Sequence, residues 1–253
     1  MRKIIVYDLP TRFFHWFYAF LFLAAFIIAI TIDDDNPLFS YHMMAGLMLG
    51  FLLVLRLIWG FTGTRFARFS SFKLNPSELI QYFKDVLVTK TKRYVGHNPA
   101  SSYAAIIMFI STIGLVLTGI AMTSGSRNEF YKEIHELFAY LFLITVIIHL
   151  AGLIFHNLKH KDSLWSSMLD GKKQSLQDES GIGNAKTIAG ILFVILSFVW
   201  MGYLNSGYNS NTRTLNFLGT ELKLSEEENE SKSESEAADN EEHEEYEHED
   251  DND

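Results

Sequence analysis

Residues 133–152 read EIHELFAYLFLITVIIHLAG, and this stretch decides the fold. From Leu137 to Phe155 the chain contains no Asp, Glu, Lys or Arg. A helix needs roughly 20 such apolar residues to cross a bilayer. Ionisable side chains inside a membrane span are functional candidates by default. The stretch therefore predicts a membrane-spanning helix in which His135 and His149 carry a function.

Four further runs are long and apolar enough to span a bilayer, namely Phe13–Ile32, Tyr41–Thr62, Tyr103–Thr123 and Ile188–Leu204. The sequence thus predicts an all-α integral membrane protein with five spans. The first run is rich in aromatic residues, contains His15 and lacks a small-residue cleavage site before Asp33. It is therefore expected to stay in the protein as a helix rather than to be removed as a signal peptide.

The charge of the chain is divided between a basic body and an acidic tail. The 253 residues have a net charge of −9. Residues 221–253 contain 17 Asp and Glu against two Lys, so the tail carries −15 and residues 1–220 carry +6. Such a tail is expected to be disordered. The bases do not cluster on a soluble module, so nucleic acid is not an expected partner.

Because the chain has no cysteine, disulfides, iron–sulfur clusters and covalently attached haem are excluded.

The distribution of Lys and Arg predicts an orientation in the membrane. These residues lie mainly before the first span, between the second and third spans, and between the fourth and fifth spans. Because they accumulate on the cytoplasmic side of a membrane, the N-terminus is expected in the cytoplasm. Five spans then place the acidic tail in the periplasm. Within the loop 63–100, Pro76–Thr89 reads as an amphipathic helix that either lies on the membrane surface or packs on the bundle.

Four histidines fall at two depths of the predicted bundle. His149 lies about 21 Å deeper than His135, and a spacing of 14 residues keeps both on nearly one helix face. His42 opens the second span at the depth of His135, and His15 opens the first span at the depth of His149. Imidazole pairs from facing helices hold non-covalent haem. We therefore expect two b-type haems, one bound by an outer pair (His42 with His135) and one by an inner pair (His15 with His149).

Each histidine could instead make only a polar contact between helices, but the matched depths favour haem. Two imidazoles without Cys or carboxylate are a poor zinc site. Gly46, one turn beyond His42, would let a flat macrocycle approach the helix, although with Gly50 it also forms a helix-packing motif. Arg56 lies at the depth of the inner pair and suits a haem propionate or a quinone oxygen, unless its side chain reaches back to the membrane interface.

Short motifs resemble, in chain order, those of the bacterial di-haem cytochrome b family, which includes the Ni,Fe-hydrogenase b-type cytochrome subunits and the bacterial cytochrome b-561 proteins. They are YDLPTR at 7–12 followed by FHW at 14–16, His42 with Gly46, RLIWGF at 56–61, RFARF at 65–69, GHNP at 96–99, EIHE at 133–136, HLAG at 149–152 and MLDGK at 168–172. The resemblance covers residues 1–173.

The resemblance implies a four-helix membrane domain over residues 1–173, with two b-type haems stacked across the bilayer on His15, His42, His135 and His149. Members of the family pass electrons between a partner protein and membrane quinone. The linker and fifth span at 174–208 and the tail at 209–253 lie outside the four-helix pattern. The leading hypothesis is a di-haem cytochrome that moves electrons between the quinone pool and a periplasmic partner. That partner is either a c-type cytochrome or an oxidoreductase subunit, docked on the acidic tail.

Two other functions stay open at this point. One is a self-contained oxidoreductase that reacts with superoxide and quinone, as some members of the family do. The other is a cofactor-free membrane anchor or transporter, although the broken helices and midplane charges of transporters are missing from the sequence. For the tail, plain solvation without a partner is the alternative to docking.

Overall fold

The computed structural model of the protein describes residues 3–88, 94–124, 128–160, 166–175 and 180–224. In chain order the elements are β1 Lys3–Ile5, α1 Leu9–Thr31, α2 Ser40–Thr62, α3 Pro76–Leu87, α4 Pro99–Thr123, α5 Glu129–His160, α6 Ser167–Asp170, β2 Lys172–Gln174, α7 Thr187–Gly207, β3 Tyr208–Asn209, β4 Thr214–Phe217 and β5 Thr220–Lys223. The helices α1, α2, α4, α5 and α7 are long and apolar enough to cross a membrane, which confirms the five predicted spans.

Two of the spans begin four residues earlier than hydropathy alone predicts, because polar residues cap them. The side chain of Asp8 caps the first turn of α1, and Asn98 caps α4 in a capping box just before Pro99. Proline is tolerated in a first turn because the N–H it lacks has no partner in the helix. The spans predicted to begin at Phe13 and Tyr103 therefore each begin four residues earlier.

Apolar side chains from four spans fill the centre of the bundle. α1 packs along α2, and α4 packs along α5. The outside of the bundle is apolar as well, and Phe20 and Leu117 are each 63% exposed. A continuous apolar exterior is what a bilayer solvates and water does not. The buried core consists of Phe14, Tyr18, Phe22, Met48, Leu49, Leu52, Leu53, Phe109 and Phe142.

The fifth span, α7, packs against α1 and α2. The helices approach closely at Gly190, where an added Cβ atom would come within 2.5 Å of Cγ of Leu9. Farther along, Phe51 of α2 stacks on Trp200 of α7 with ring centroids 4.6 Å apart. α7 therefore braces the first two helices of the bundle.

A two-stranded sheet closes the end of the bundle at which α1 starts, which we call the N-terminal end. β1 and β2 pair antiparallel, with Ile4 opposite Lys173. The N–H groups of Val6 and Tyr7 then donate to the carbonyl oxygen of Gly171 at 2.8 and 3.1 Å. Gly171 has a φ of 76°, a conformation that favours glycine. The start of the chain is thereby tied to the segment that follows α6.

The prediction that residues 209–253 form a disordered tail is wrong for the first part of that range. β3, β4 and β5 form an antiparallel sheet that follows α7 directly and closes the opposite end, the C-terminal end. Apolar and polar residues alternate in these short strands, but the acidic composition of the whole tail conceals the pattern. Residues 225–253 lie outside the described residues, and the disorder expected there stays a prediction. Leucines of the sheet region pack together with leucines of α2 and α7 in one buried cluster, which consists of Leu47, Leu204, Leu215, Leu222 and Leu224.

The predicted amphipathic helix is present as α3. Nδ2 of Asn98, at the start of α4, donates to the hydroxyl of Tyr82 at 3.4 Å, so one edge of α3 docks on the bundle. Ile80 is 56% exposed and Phe83 47% exposed. Packing on the bundle is therefore confirmed for one edge of the helix, and contact of its exposed apolar side chains with a membrane surface stays a prediction.

Candidate functional site

The outer pair joins α2 to α5 near the C-terminal end. The ring centroids of His42 and His135 are 6.1 Å apart, with 58° between the ring planes. Two imidazoles that bind one metal ion from opposite sides, each at about 2 Å, have centroids about 6 Å apart. The spacing therefore suits one metal ion between the rings, as an iron with two axial histidines requires.

Hydrogen bonds at Nδ1 fix the form of both rings. His42 Nδ1 lies 2.9 Å from the carbonyl oxygen of Ala25, which can only accept. His135 Nδ1 lies 2.9 Å from Oγ1 of Thr118, whose own proton is donated to the carbonyl oxygen of Gly114 at 2.7 Å. In the neutral rings Nδ1 therefore carries the proton, and Nε2 keeps the lone pair that binds a metal. Acceptors of this kind orient metal-binding histidines.

Small residues leave room beside the outer pair. A Cβ atom added to Gly46, one turn along α2 from His42, would meet no atom within 4 Å. At Gly119 an added Cβ atom would lie 3.6 Å from Cε1 of His135. Phe39 stacks on the His42 ring with centroids 5.1 Å apart. Open space with an aromatic wall beside two imidazoles suits a flat macrocycle, so the residues present fit a b-type haem.

The inner pair joins His15 of α1 to His149 of α5. The two rings are close enough to interact electrostatically. Nδ1 of His15 is buried and has no hydrogen-bond partner among the described residues. A Cβ atom added to Gly152, nearly one turn beyond His149, would again meet no atom within 4 Å. A buried imidazole with an unused nitrogen needs an explanation, and open space beside the pair allows the same group to bind here as at the outer pair.

Stacked aromatic rings separate the two pairs. Phe142 lies midway between His135 and His149 on α5 and stacks on Phe22 of α1, with ring centroids 3.8 Å apart. The structure thus brings the four predicted histidines together as the two predicted pairs. About 21 Å of helix lies between the two histidines that α5 contributes.

Among the described residues, no three His, Asp or Glu side chains gather closely enough to hold a metal ion by themselves. Each histidine pair therefore offers two nitrogen ligands. A metal bound there needs its remaining ligands from elsewhere, and the four nitrogens of a porphyrin supply them. This donor set fits haem iron better than zinc, which takes four ligands from the protein in its structural sites.

Arg56 is enclosed by the bundle instead of reaching the membrane interface. Its side chain is 3% exposed, and Nη2 donates to the carbonyl oxygen of Ala67 at 2.9 Å. The guanidinium carbon lies 5.9, 5.3 and 5.9 Å from the ring centroids of Phe14, Phe69 and Phe109. Nη1 is buried without a hydrogen-bond partner among the described residues. Arg56 therefore has a donor available for an acceptor that the described chain does not supply.

His97, which belongs to the GHNP motif at 96–99, lies close enough to Arg56 to interact with it electrostatically. Its ring centroid lies 4.7 Å from that of Phe72 and 6.1 Å from that of Tyr7. Burial, together with the positive charges of Arg56 and Lys173, lowers the pKa of His97 to about 3. The ring is therefore neutral at physiological pH, and its buried Nδ1 has no partner in the described part of the chain.

Asp8 is a second residue whose role the sequence motifs do not predict. It is fully buried, and one of its oxygens accepts hydrogen bonds from Oγ1 of Thr64 at 2.6 Å and Nε1 of Trp59 at 3.1 Å. The carboxylate thus ties the start of α1 to the end of α2. One sequence signal could have found both Asp8 and His97. Each lies two residues before a proline in the first turn of a capped helix.

Comparison with known proteins shows the family to which the chain belongs. The family model described as Prokaryotic cytochrome b561 matches residues 6–171, which contain all four histidines. The chain is 25% identical over 215 residues to the probable Ni/Fe-hydrogenase B-type cytochrome subunit of Rhizobium leguminosarum bv. viciae, covering 68% of this chain and 89% of that protein. No solved structure matches the chain.

More distant relatives carry the same kind of name. The chain is 24% identical to the probable Ni/Fe-hydrogenase B-type cytochrome subunit of Cupriavidus necator, covering 68% of this chain and 87% of that protein. It is 20% identical to the probable Ni/Fe-hydrogenase 1 B-type cytochrome subunit of Escherichia coli K12, covering 66% of this chain and 88% of that protein. The likeness thus extends over most of the length of these proteins.

Proposed function

The chain belongs to the prokaryotic cytochrome b561 family, and from this premise we propose that it is a transmembrane electron carrier with two b-type haems. A haem supplies an iron centre that alternates between Fe(III) and Fe(II) and so carries one electron. In this proposal His42 and His135 bind the outer haem, and His15 and His149 bind the inner haem.

The observation that carries the proposal is the form of the outer pair. Two neutral imidazoles from facing helices lie 6.1 Å apart, and each donates Nδ1–H to an acceptor while keeping Nε2 for a metal. Packing of α2 against α5 does not by itself require a histidine at the same depth on each helix. Nor does it require the open space beside Gly46. A metal with two axial histidines does require this arrangement.

The protein's own residues explain why the activity is electron transfer. If each histidine pair held a haem iron, a small substrate would find no free position on that iron. α5 supplies one histidine to each pair, so a single helix fixes the separation of the two haems. The apolar core between the pairs, including the stacked rings of Phe22 and Phe142, keeps water out of the path.

We extend the proposal to the partners of this electron carrier. Relatives named as hydrogenase cytochrome subunits favour a partner that is a redox protein, either an oxidoreductase subunit or a c-type cytochrome. Membrane quinone is the proposed partner on the lipid side. Membership of a prokaryotic family favours a bacterial inner membrane. The Lys and Arg distribution favours an N-terminus in the cytoplasm and an acidic tail in the periplasm. Contacts made by such a tail are fast, weak and sensitive to salt.

A reduced-minus-oxidised absorption spectrum of the purified full-length protein tests the proposal. We expect a b-type α band and two haems per chain. A colourless protein would contradict the proposal and favour a membrane anchor or transporter. For the partner, cross-linking in membranes at low and high salt, with and without residues 225–253, should capture a periplasmic redox protein only at low salt and only with the tail.

A further inference from the structure

Two positively charged side chains and a buried neutral imidazole gather at the N-terminal end of the bundle, apart from the histidine pairs. Arg56 of α2 is almost completely buried, and its Nη1 has no hydrogen-bond partner among the described residues. His97, just before α4, has a buried Nδ1 that is equally unpaired there. Lys173 of β2 is close enough to act on His97 electrostatically. Three segments that are distant in sequence therefore direct nitrogen donors into one region.

The described chain does not neutralise this region with a bonded carboxylate. Arg56 Nη2 donates to a neutral backbone carbonyl, that of Ala67. Lys173 Nζ donates to the hydroxyl of Tyr7 at 3.0 Å and to the carbonyl of Gly96 at 3.3 Å, which are also neutral.

Asp8 attracts Arg56 electrostatically, but its oxygens already accept three hydrogen bonds, from Thr11 N–H, Trp59 and Thr64. A buried charge without a bonded partner is costly. Asp8 therefore offsets part of the positive charge, and a further anion beside Arg56 would offset the rest.

The charges around His97 point to the same conclusion. Arg56 and Lys173 act on His97 from α2 and β2, and Tyr7 and Phe72 supply the remaining ring contacts. Their positive charges, added to burial, hold the pKa of His97 far below its usual value. A carboxylate placed among these groups would accept hydrogen bonds from Nη1 and Nδ1 and would offset both charges.

The position of Arg56 relative to the inner pair points to the kind of anion that this region would bind. The guanidinium carbon of Arg56 lies 5.9 Å from the ring centroid of Phe14, the residue before His15. Arg56 thus packs against the turn of α1 that carries His15, toward the N-terminal end. A b-type haem carries two propionate carboxylates on one edge, and these charged groups need donors when they are buried.

We propose that Arg56 and His97 bind a propionate carboxylate of the inner haem, while Lys173 holds the loop that carries His97. This inference rests on the proposed function, because it requires a haem at the inner pair. A carboxylate fits better than a neutral quinone oxygen, since the region has positive charge to offset as well as donors to satisfy. The site therefore orients the inner haem with its propionate edge toward the N-terminal end.

Redox titration of the purified, full-length protein tests the inference, with the α bands of the two haems assigned in the His135→Ala variant. Arg56→Gln should shift the midpoint potential of the inner haem to a lower value, because a nearby positive charge stabilises the added electron. Transfer of the inner haem to apomyoglobin should become roughly tenfold faster or more. His97→Gln should also speed this transfer, and Arg56→Lys should keep most of the potential.

The outer haem is the internal control, and Arg68→Gln, which removes an exposed cation, is the matched substitution control. If Arg56→Gln does not accumulate in membranes, His97→Gln and Arg56→Lys carry the test. Unchanged potential and unchanged haem transfer in the variants would overturn the inference. Slower reduction by quinol without either change would assign the donors to quinone and also overturn it. A wild-type protein without haem at the inner pair would contradict the proposed function itself, before any substitution is made.

Discussion

Thr118 of α4 accepts a hydrogen bond from Nδ1 of His135 on α5, with a distance of 2.9 Å between the two atoms. The hydroxyl of Thr118 also lies 2.7 Å from the carbonyl oxygen of Gly114 and 3.2 Å from that of Leu115, so its proton has acceptors on its own helix and its oxygen can accept from His135. This contact selects the ring form that leaves Nε2 of His135 for a metal, and it makes the imidazole a more basic ligand.

Replacing Thr118 by valine should raise the midpoint potential of the outer haem and leave the inner haem unchanged. Loss of the acceptor makes His135 a less basic ligand, which stabilises Fe(III) less. Redox titration measures both potentials. Thr145→Val is the matched control, because the hydroxyl of Thr145 is also buried on a span but donates to Leu141 of its own helix. An equal shift in both variants would show that the effect is not specific to His135.

Gly46→Leu should leave a folded protein that lacks the outer haem. The side chain would enter the open space beside the outer pair, where an added Cβ atom meets nothing within 4 Å. Haem content per chain and elution as a single species in detergent measure the two properties. At Gly114 the same change should damage packing first, because an added Cβ atom would lie 2.2 Å from Phe138. A Gly46→Leu variant with both haems would show that this space does not hold haem.

Leu215→Asp should destabilise the C-terminal sheet by more than about 3 kcal/mol, because it places an unpaired carboxylate in a fully buried position. Faster proteolysis between residues 208 and 224 and a lower thermal transition in detergent measure this loss. Leu218→Asp is the control, since Leu218 is 73% exposed and should tolerate the change. Equal behaviour of the two variants would show that the sheet contributes little to stability.

Removal of residues 225–253 should leave the content of both haems unchanged, because the described sheet ends before them. Reduction or oxidation by a basic c-type cytochrome should become slower at low salt and lose most of its dependence on ionic strength. Stopped-flow measurements at several salt concentrations check this. A tail of the same length with Gln and Asn in place of Glu and Asp separates charge from length. Unchanged rates in both the shortened protein and the protein with the uncharged tail would mean that the tail is not a docking site for such a cytochrome.

The spans, and the proximity of His42 to His135 and of His15 to His149, could be predicted because they depend on local rules. Hydropathy locates a span, and the fixed rise of a helix sets the depths of His135 and His149. The contacts of Arg56 with His97 could not be predicted in this way. They depend on how the loop before α4 meets the end of α2 and the strand at Lys173, which is a non-local arrangement.

The C-terminal sheet was missed for a different reason. Its strands are only two to four residues long, so their alternation is too short to stand out against an acidic tail. The starts of α1 and α4 were missed because a hydropathy window ignores caps such as Asp8 and Asn98. In each case a few residues determine where a strand or helix forms, although the average composition of the segment predicts otherwise.

The most direct test of the central claim is a count of haem per chain in the wild type, in His135→Ala and in His149→Ala, combined with redox titration of each. We predict two haems with two resolved potentials in the wild type. Each variant should retain one haem, and the two variants should retain different ones. A wild type with a single haem, or two folded variants that lose the same haem, would contradict the pairing of His42 with His135 and of His15 with His149.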